Sequence, residues 1–407
     1  MSEHNVHVAD LSNGLKLIGE TRPNAMSVSL GFFVRTGSRD EWPEVAGVSH
    51  FLEHMMFKGT AKRSAADVNN EFGNIGAQAN AFTSDENTVY YATVVPEYFR
   101  ELVDLMSDML RPALDEDEFK VEKKVILEEI ALYQDRPGFY LYESAVRDFF
   151  GNHHLGNSVL GSTDSVGNLS REEMLEYFSK RYRAGNITLA VSGNFDWMLF
   201  EEMITERCAS WYEGRASREY QPFHRSRMEQ HYTKENLQQF HGLFMAPGFS
   251  AENDNRYACA LLSTILGDSV GSRLYWELVD PGLAESAIMD HDTKDKAGVW
   301  MTSFSTTPEN SEKVVEIVRS VLRDPLSFSD EDFERAKNKV LTRVTLEGEL
   351  SFGRMMALGS EWVYRQRLRE LDEEIEAFQS ITVSDLRKLV EGELQNLEWS
   401  EFTLGAS

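Results

Sequence analysis

The sequence predicts an α+β fold of two similar domains, each of about 200 residues and each a mostly antiparallel sheet with helices packed on it. The chain has 407 residues, which is too long for one compact core. Strand-like and helix-like stretches alternate over the first hundred residues, and no Gly-x-Gly-x-x-Gly motif follows a strand. This arrangement favours a mixed α+β layer over a doubly wound nucleotide-binding fold. A faint internal repeat indicates that the second half resembles the first.

The repeat pairs residues 107–129 with residues 319–343. Each segment contains the end of a helix, a proline turn, an acidic first helical turn and a long Lys-rich helix. Duplication of one domain is the simplest explanation, although any two amphipathic helices share some of these features. We therefore predict a first domain at residues 1–212, a locally basic linker at 213–229 and a second domain at 230–407.

The elements of the first domain follow from local patterns. Alternating, β-branched stretches predict strands at 6–11, 15–20, 27–36 and 187–193, and a hairpin at 78–94 with its turn at Ser84-Asp85. Asn13-Gly14 is the turn signal between the first two strands. Helices are predicted from about Val45, from an N-cap at Ser64 to Phe72, from Pro96 to about Leu110, from the acidic run Asp115–Glu118 to about Tyr133, after Pro137 and from about Ser170. The second domain is predicted to open with a strand at 237–248.

The composition argues against several function classes. A formal net charge of −26 repels phosphate backbones and anionic lipid headgroups, so nucleic acid is a poor partner. The charge is explained by solubility or, alternatively, by steering of a cationic substrate. The two cysteines, Cys208 and Cys259, predict no disulfide framework, and no apolar run reaches the roughly 18 residues that span a bilayer. Since the N-terminus also lacks a signal-peptide pattern, we expect a cytoplasmic protein without a membrane partner.

One pentapeptide has the pattern of a metal site. In His50-Phe51-Leu52-Glu53-His54 the imidazoles are four residues apart, so on a helix both lie on one face and can bind one metal ion. Glu53 precedes the second histidine, where it can act as general base on a metal-bound water, as in the inverted zinc-protease motif His-x-x-Glu-His. The alternative is that two histidines on an amphipathic helix are ordinary core or surface residues.

A catalytic zinc site needs a third protein ligand and keeps a fourth position for water. The predicted long helix offers one, because Glu122 and Glu129 are seven residues apart and share a face, whereas Glu128 is turned about 100° away. Glu129 is thus a candidate ligand, and Glu122 is a candidate to hold His50 or His54 by the second ring nitrogen. The alternative is that carboxylates in so acidic a helix are simply solvated.

These motifs occur in an order that resembles one known family. The stretches 47–60, 78–94, 122–138 and 160–196 closely resemble the insulinase/pitrilysin family of zinc peptidases. They are most similar to its half-length branch, which includes mitochondrial processing peptidase and bacterial relatives. The resemblance is strong over about residues 8–200 and looser beyond, where 261–278 is the best-matching stretch.

The resemblance implies a role for several residues of this sequence and one zinc ion per chain. The implied zinc ligands are His50, His54 and Glu129, the implied base is Glu53, the implied supporting glutamate is Glu122, and Asn80-Ala81 lies on the strand that pairs with the backbone of a peptide substrate. The implied fold is a pair of similar α+β domains per half, with two halves that face each other around a closed chamber.

The sequence departs from the family in its second half. Family members usually carry an Arg and a Tyr seven residues apart in the second domain, where they hold substrate and support the transition-state oxygen. The matching segment here has Glu285 at the Tyr position and lacks the Arg, and the nearby Arg273 and Tyr275 lie in a stretch typical of helix packing. Because no His-x-x-Glu-His recurs and Arg343 or Val344 falls at the third-ligand position, the second domain is predicted to be metal-free.

Two functions of different classes are compatible with these observations. The first is a zinc-dependent endopeptidase that hydrolyses peptides or unfolded segments in a closed chamber, by a zinc-bound water activated by Glu53. The alternative is a weakly active or non-catalytic partner subunit of a heterodimeric peptidase. In both cases we expect dimerisation, as a homodimer or with a second half-length chain. Zinc that serves folding alone is disfavoured, because structural sites usually close with four protein ligands.

Overall fold

The computed structural model describes residues 5–223, 227–395 and 397–407, which divide into two compact units. Among the described residues, the first unit comprises the chain up to Leu132, Asn157–Glu219 and Glu347–Glu370. The second unit comprises Tyr133–Gly156, Tyr220–Leu346 and Leu371–Ser407. Each unit therefore includes one segment from the opposite half of the sequence.

The helices and strands account for both units. The strands are β1 (Asn5–Asp10), β2 (Lys16–Thr21), β3 (Val28–Val34), β4 (Gln78–Thr83), β5 (Thr88–Val94), β6 (Ile187–Gly193), β7 (Glu229–Lys234), β8 (Phe240–Pro247), β9 (Ala284–Lys294), β10 (Ala297–Thr306) and β11 (Ser400–Ala406). The helices are α1 (Val48–Met55), α2 (Ala65–Asn74), α3 (Phe99–Met109), α4 (Glu116–Gln134), α5 (Pro137–Phe150), α6 (Thr163–Asn168), α7 (Arg171–Arg181), α8 (Trp197–Cys208), α9 (Arg256–Gly267), α10 (Ser311–Arg323), α11 (Asp330–Glu349), α12 (Ser351–Arg365), α13 (Leu371–Ser380) and α14 (Val383–Leu389). In the described part of the chain, no helix combines the length and the apolar character needed to cross a bilayer.

A six-stranded sheet, counted over the described residues, organises the first unit in the order β1-β2-β6-β3-β5-β4. Neighbouring strands run antiparallel except β2 and β6. β3 and β6 are buried along their whole length because both faces of the sheet are covered. On one face, Met355 of α12 packs against Phe33 and Val89, while α1, α3 and α8 contact the sheet from the other. This arrangement leaves β1 and β4 as the edge strands.

The second unit has the same layered plan. Within the described residues its sheet has five strands in the order β7-β11-β8-β10-β9, antiparallel except for β7 and β11. Leu141 and Phe149 of α5 pack against one face. Residues of α9, α10 and α11 form the larger core on the other face. The predicted α+β class, with mostly antiparallel sheets, is confirmed.

The duplication is visible in α4 and α11. Lys123 of α4 donates to the carbonyl oxygen of Leu169, just before α7. Lys337 of α11 donates to the carbonyl oxygen of Ile381, just before α14. Each lysine also lies over the ring of a phenylalanine four residues earlier. Because the same residue types make the same contacts, the two long helices occupy equivalent places in the two units.

Some details differ from the local predictions. The helix predicted from about Val45 begins at Val48, because Pro43–Val45 forms a separate 3-10 turn. β7 is not among the predicted strands, since its residues are polar and largely exposed at a sheet edge. The division into domains at 1–212 and 230–407, with a linker at 213–229, remains a prediction. Residues 224–226 of this linker lie outside the described residues.

Apolar packing explains why α5 belongs to the second unit and α12 to the first, although each lies in the opposite half of the sequence. Residues 351–365, which lie within the predicted second domain at 230–407, form a helix whose Met355 and Val363 belong to the core of the first unit. A buried ion pair adds to this attachment. Arg354 Nε of α12 donates to Glu20 Oε2 of β2 at 2.6 Å, and the two side chains are only 2% and 4% exposed.

Removing this pair should destabilise the protein. We expect Glu20→Gln to lower the free energy of unfolding by about 3 kcal/mol, because it leaves the Arg354 guanidinium buried without its counter-charge. Chemical denaturation followed by tryptophan fluorescence measures the loss. Lys120→Gln is the matched control, since its contact with Glu116 is exposed and such pairs contribute about 0–1 kcal/mol. Equal stability of the two variants would contradict the structural role of the pair.

Candidate metal centre

The helix that carries the pentapeptide begins at a glycine with left-handed backbone geometry. Gly47 has φ +92°, and a Cβ atom there would lie 2.7 Å from the carbonyl oxygen of Leu160. Only glycine adopts this conformation at this approach without strain. The following turns of α1 bury Phe51 and Leu52 in the core. The i, i+4 spacing then leaves both histidines on the side that faces α4.

The second helix of the centre, α4, packs against α1 through aromatic rings. Phe119 and Ile126 of α4 are buried. The Phe119 ring stacks on the Phe51 ring of α1, with centroids 4.8 Å apart. Because Glu122 and Glu129 share the face of α4 that bears these contacts, their carboxylates lie beside the histidines of α1.

The structure brings the three predicted ligands together. His50 Nε2 and His54 Nε2 lie 3.8 Å and 3.7 Å from the same oxygen, Glu129 Oε2. One ligand atom from each of the three residues can be chosen so that all lie within 4.8 Å of one another. Glu128, one residue earlier, is exposed. The helical phase that favours Glu129 over Glu128 is therefore the phase that the structure has.

Protonation states at this site suit metal binding. Burial, reinforced by the neighbouring His54 imidazole, lowers the pKa of His50 to about 4, so this ring is neutral at neutral pH. His54 Nδ1 lies 2.8 Å from Glu122 Oε1. A proton on Nδ1 donates to that carboxylate and leaves the Nε2 lone pair directed toward Glu129. His50 Nε2, His54 Nε2 and a carboxylate oxygen of Glu129 thus face one another.

Glu122 is held in place by a lysine that was not among the predicted site residues. Lys58 Nζ lies 2.6 Å from Glu122 Oε2, and the glutamate side chain is 5% exposed. Burial alone would raise the pKa of Glu122, but the contacts with Lys58 and His54 outweigh it and hold the pKa below its ordinary value. Lys58 lies four residues after His54, a spacing that can place the two side chains close together but does not identify Glu122 as the partner of Lys58.

Glu53 directly precedes His54 on α1, but its carboxylate contacts strand β4. Its Oε2 accepts a hydrogen bond of 2.6 Å from the Thr83 hydroxyl at the end of β4. Burial raises the pKa of Glu53, while the Thr83 hydrogen bond and the charge of His54 oppose the rise. Thr83 was not a predicted site residue, although it follows Ala81 by two positions and therefore shares its face of the strand.

Asn80 and Ala81 lie on the free edge of the sheet. β4 pairs only with β5 among the described strands, so no described strand pairs with the backbone groups on its other side. The Ala81 N–H donates at 2.9 Å to the Asn80 side-chain oxygen rather than to β5, which places this N–H on the outer side. The edge strand ends at Thr83, whose hydroxyl donates to the Glu53 carboxylate.

The residues considered as substitutes in the second half have other contacts. Arg273 Nε donates to Glu277 Oε1 at 2.7 Å, and its Nη1 donates to the carbonyl oxygen of Asp324. Tyr275 begins a π-helical turn in the second unit and stacks edge-on against Trp276. These contacts are those of helix packing, as the sequence indicated. The Glu285 carboxylate accepts a hydrogen bond from the Gln239 side chain.

The three candidate ligands fit a zinc ion. Tetrahedral zinc with ligands at about 2.0–2.2 Å keeps its ligand atoms about 3.3–3.6 Å apart. The two nitrogen–oxygen separations of 3.8 Å and 3.7 Å are slightly longer than this, and the three ligand atoms all lie within 4.8 Å of one another. Imidazole and carboxylate are ligands that zinc prefers, and three of them leave one position open, as in catalytic sites.

Two family models and several relatives match most of this chain. The sequence matches the insulinase family, peptidase family M16, over residues 16–163, and the domain described as the peptidase M16 inactive domain over residues 168–340. It is 30% identical over 387 residues to the uncharacterized zinc protease YmxG of Bacillus subtilis, covering 93% of each chain. It is also 30% identical over 408 residues to an uncharacterized zinc protease of Mycobacterium leprae, covering 97% of this chain and 90% of the relative.

Solved structures share the fold. A protease from Helicobacter pylori superposes with a TM-score of 0.89 at 19% identity, over 98% of this chain and 99% of that chain. A peptidase M16 inactive domain from Pseudomonas fluorescens superposes with a TM-score of 0.92 at 18% identity, over 99% of this chain and 98% of that chain. At these identities the likeness concerns the fold alone.

The ligand set predicts the effect of removing single ligands. The purified chain should bind one zinc ion, and His54→Ala or Glu129→Ala should lower the zinc content sharply, because two ligands hold the ion far more weakly than three. Elemental analysis after gel filtration measures the ratio. Glu128→Ala, with the same loss of charge on the same helix, should keep full zinc. Full zinc in Glu129→Ala would show that the third ligand lies elsewhere.

A second prediction concerns Glu122, whose replacement should weaken zinc binding without abolishing it. Glu122→Gln should weaken zinc affinity by about tenfold, at the low end of the 10–100-fold range for groups that orient a metal-bound histidine. The cause is that the neutral amide no longer pairs with Lys58 and holds His54 less firmly. Competition with a fluorescent zinc chelator measures the affinity. Glu128→Gln serves as the control, and equal affinities of the two variants would exclude the orienting role.

Proposed function

Because the chain belongs to the insulinase family of zinc peptidases, peptidase family M16, we propose that it is a zinc-dependent endopeptidase acting on peptides or unfolded segments. The cofactor is zinc, which His50, His54 and Glu129 would hold. The observation that carries the proposal is the position of Glu53, one residue before His54 and close to the ligand set, with its carboxylate fixed by Thr83. A group so placed serves catalysis rather than metal binding.

Zinc bound to these ligands would supply a Lewis acid that polarises the substrate carbonyl. Glu53 takes a proton from the attacking water and returns it to the leaving amine. Its raised pKa, caused first by burial, brings the carboxyl group closer to the range in which a base can both accept and release a proton. The Thr83 hydroxyl keeps one carboxylate oxygen engaged, so the other oxygen is available for proton transfer.

Strand β4 supports the substrate part of the proposal. A peptide added to its free edge would pair with backbone groups such as the Ala81 N–H, and main-chain pairing binds extended peptides with little dependence on sequence. The substrate would then pass close to Glu53, because Thr83 ends the same strand. Unfolded segments can adopt the extended conformation that this requires, whereas folded proteins cannot.

The partner and the compartment belong to the same proposal. A half-length chain would enclose its substrate only with a second half, as a homodimer or as a heterodimer. The alternative function, a weakly active or non-catalytic partner subunit, is favoured by Glu285, which cannot supply the phenol that the family usually has at this position. Cys208 and Cys259 are buried and unpaired, which supports a reducing compartment such as the cytoplasm.

Replacement of the proposed base tests the catalytic role. Glu53→Gln should retain zinc but lose about 10²–10⁴ in kcat, the usual contribution of a positioned general base. Digestion of an unstructured peptide, followed by mass spectrometry with a chelator control, measures the rate.

The control for this experiment is Glu128→Gln, which should cleave at the parental rate because its carboxylate is exposed and outside the centre. Cleavage by Glu53→Gln at the parental rate would exclude the proposed base. A parental chain that binds zinc but digests peptides only when mixed with a second half-length chain would favour the partner-subunit alternative.

A further inference from the structure

Residues 37–41, which precede α1, contact both the start of α1 and the hairpin turn between β4 and β5. We propose that residues 37–41 form a positioning loop, in which Glu41 fixes the first turn of α1 and Arg39 fixes the hairpin turn that follows β4. The loop thereby sets where the metal ligands and the proposed base lie relative to the peptide edge. For its substrate-related part this proposal rests on the proposed peptidase function.

Glu41 caps a helix that cannot cap itself. The N-cap residue of α1 is Gly47, which has no side chain to accept the backbone N–H groups of the first turn. Glu41 Oε2 accepts the Gly47 N–H and Glu41 Oε1 accepts the Ser49 N–H, each at 2.7 Å. Glu41 is 3% exposed and Ser49 is fully buried, so water has little access to these groups. The carboxylate is therefore the partner on which this helix start depends.

The ligand next to this cap has little else to orient it. His50 follows Ser49 directly, and its Nδ1 is buried without a hydrogen-bond partner among the described residues. His54 differs, because its Nδ1 contacts Glu122. The position of the His50 ring therefore follows from packing and from the backbone of the first turn, which Glu41 holds. Ser49 strengthens that turn through a 2.7 Å hydrogen bond between its hydroxyl and Tyr177.

The same loop fixes the hairpin turn that follows Thr83, at the end of β4 that contacts Glu53. The Arg39 backbone N–H donates to the carbonyl oxygen of Asp85 at 2.8 Å. Its guanidinium pairs with Glu86 at 2.5 Å, and the two side chains are 2% and 0% exposed. A Cβ atom on Gly37 would lie 2.2 Å from the carbonyl oxygen of Ser84, so the loop and the hairpin turn touch backbone to backbone.

Asp40 anchors the loop between these two contacts. Its carboxylate accepts hydrogen bonds from Arg218 Nε at 3.0 Å and Arg218 Nη2 at 2.7 Å, and it pairs with Arg181 Nη2 at 2.8 Å. Asp40 and Arg218 side chains are each 1% exposed. Arg218 also contacts the hairpin turn, because its Nη2 donates to the carbonyl oxygen of Glu86 and its Nη1 lies 3.9 Å from Glu86 Oε1. The two ends of the loop nevertheless contact different elements, so separate replacements can test whether they have separable roles.

The experiment separates those roles with matched variants. Glu41→Gln leaves one amide oxygen to accept two N–H groups, and we expect zinc affinity to fall about tenfold with KM unchanged. The double variant Arg39→Met/Glu86→Gln removes both charges of the hairpin pair together, and the buried Arg218 beside Glu86 keeps Asp40 as its counter-charge. For it we expect KM to rise about tenfold with zinc affinity unchanged. Glu20→Gln, which breaks a buried ion pair elsewhere in the unit, should change stability but neither quantity.

Chelator competition gives the zinc affinity, and peptide digestion gives kcat and KM. Amide hydrogen exchange of zinc-loaded protein adds a readout without substrate: faster exchange in α1 only for Glu41→Gln, and in 78–87 only for the double variant. If the parental chain cleaves no peptide, the proposed function fails, while zinc affinity and hydrogen exchange still decide on the loop. Equal losses of zinc affinity in Glu41→Gln and Glu20→Gln would overturn the positioning role. Faster hydrogen exchange in both α1 and residues 78–87 in either loop variant would also overturn it.

Discussion

Three electron-rich atoms converge between α1 and α4, and the first unit has to hold them together before any cation joins them. The carboxylate oxygen of Glu129 lies within 4 Å of two imidazole nitrogens. Two full charges at 4 Å interact by about 4 kcal/mol under partial screening, and the repulsion between the three ligand atoms is smaller than this. Burial of aromatic side chains such as Phe51 and Phe119 contributes about 1.5–3 kcal/mol each. Apolar packing is therefore large enough to keep the two helices in register.

The same requirement explains how the polar groups around the centre are arranged. Each has a partner that removes a degree of freedom: Lys58 holds Glu122, Glu122 holds His54, and Thr83 holds Glu53. The last of these contacts also joins the metal helix to the edge strand β4. A displacement of β4 would therefore move the carboxylate of Glu53, so the position of the base and the position of the peptide edge are coupled through one hydrogen bond.

Whether a contact can be predicted from the sequence depends on how many residues separate its two partners along the chain. The phase of one helix needs only local geometry, and it places Glu129 beside the two histidines and Glu128 at an exposed position. Lys58 and Thr83 escaped prediction because their partners are 64 and 30 residues away, and no local pattern reports such contacts. The placement of α12 has the same cause, since its apolar face is equally compatible with either sheet until the tertiary contacts of Met355 are known.

The second unit shows which positions the fold itself constrains. The repeated Lys–Phe pairs of α4 and α11 fix an offset of 214 residues between the helices, and this offset places Ala336 and Arg343 at the positions of Glu122 and Glu129. Arg343 presents a cation where the first unit presents a carboxylate, and it opposes the burial-driven rise in the pKa of Asp290. Packing positions recur because each unit needs a core, whereas ligand positions diverge because only a metal ion requires them. The two units therefore share the packing of their cores, whereas they differ at the few positions that would determine the chemistry of each unit.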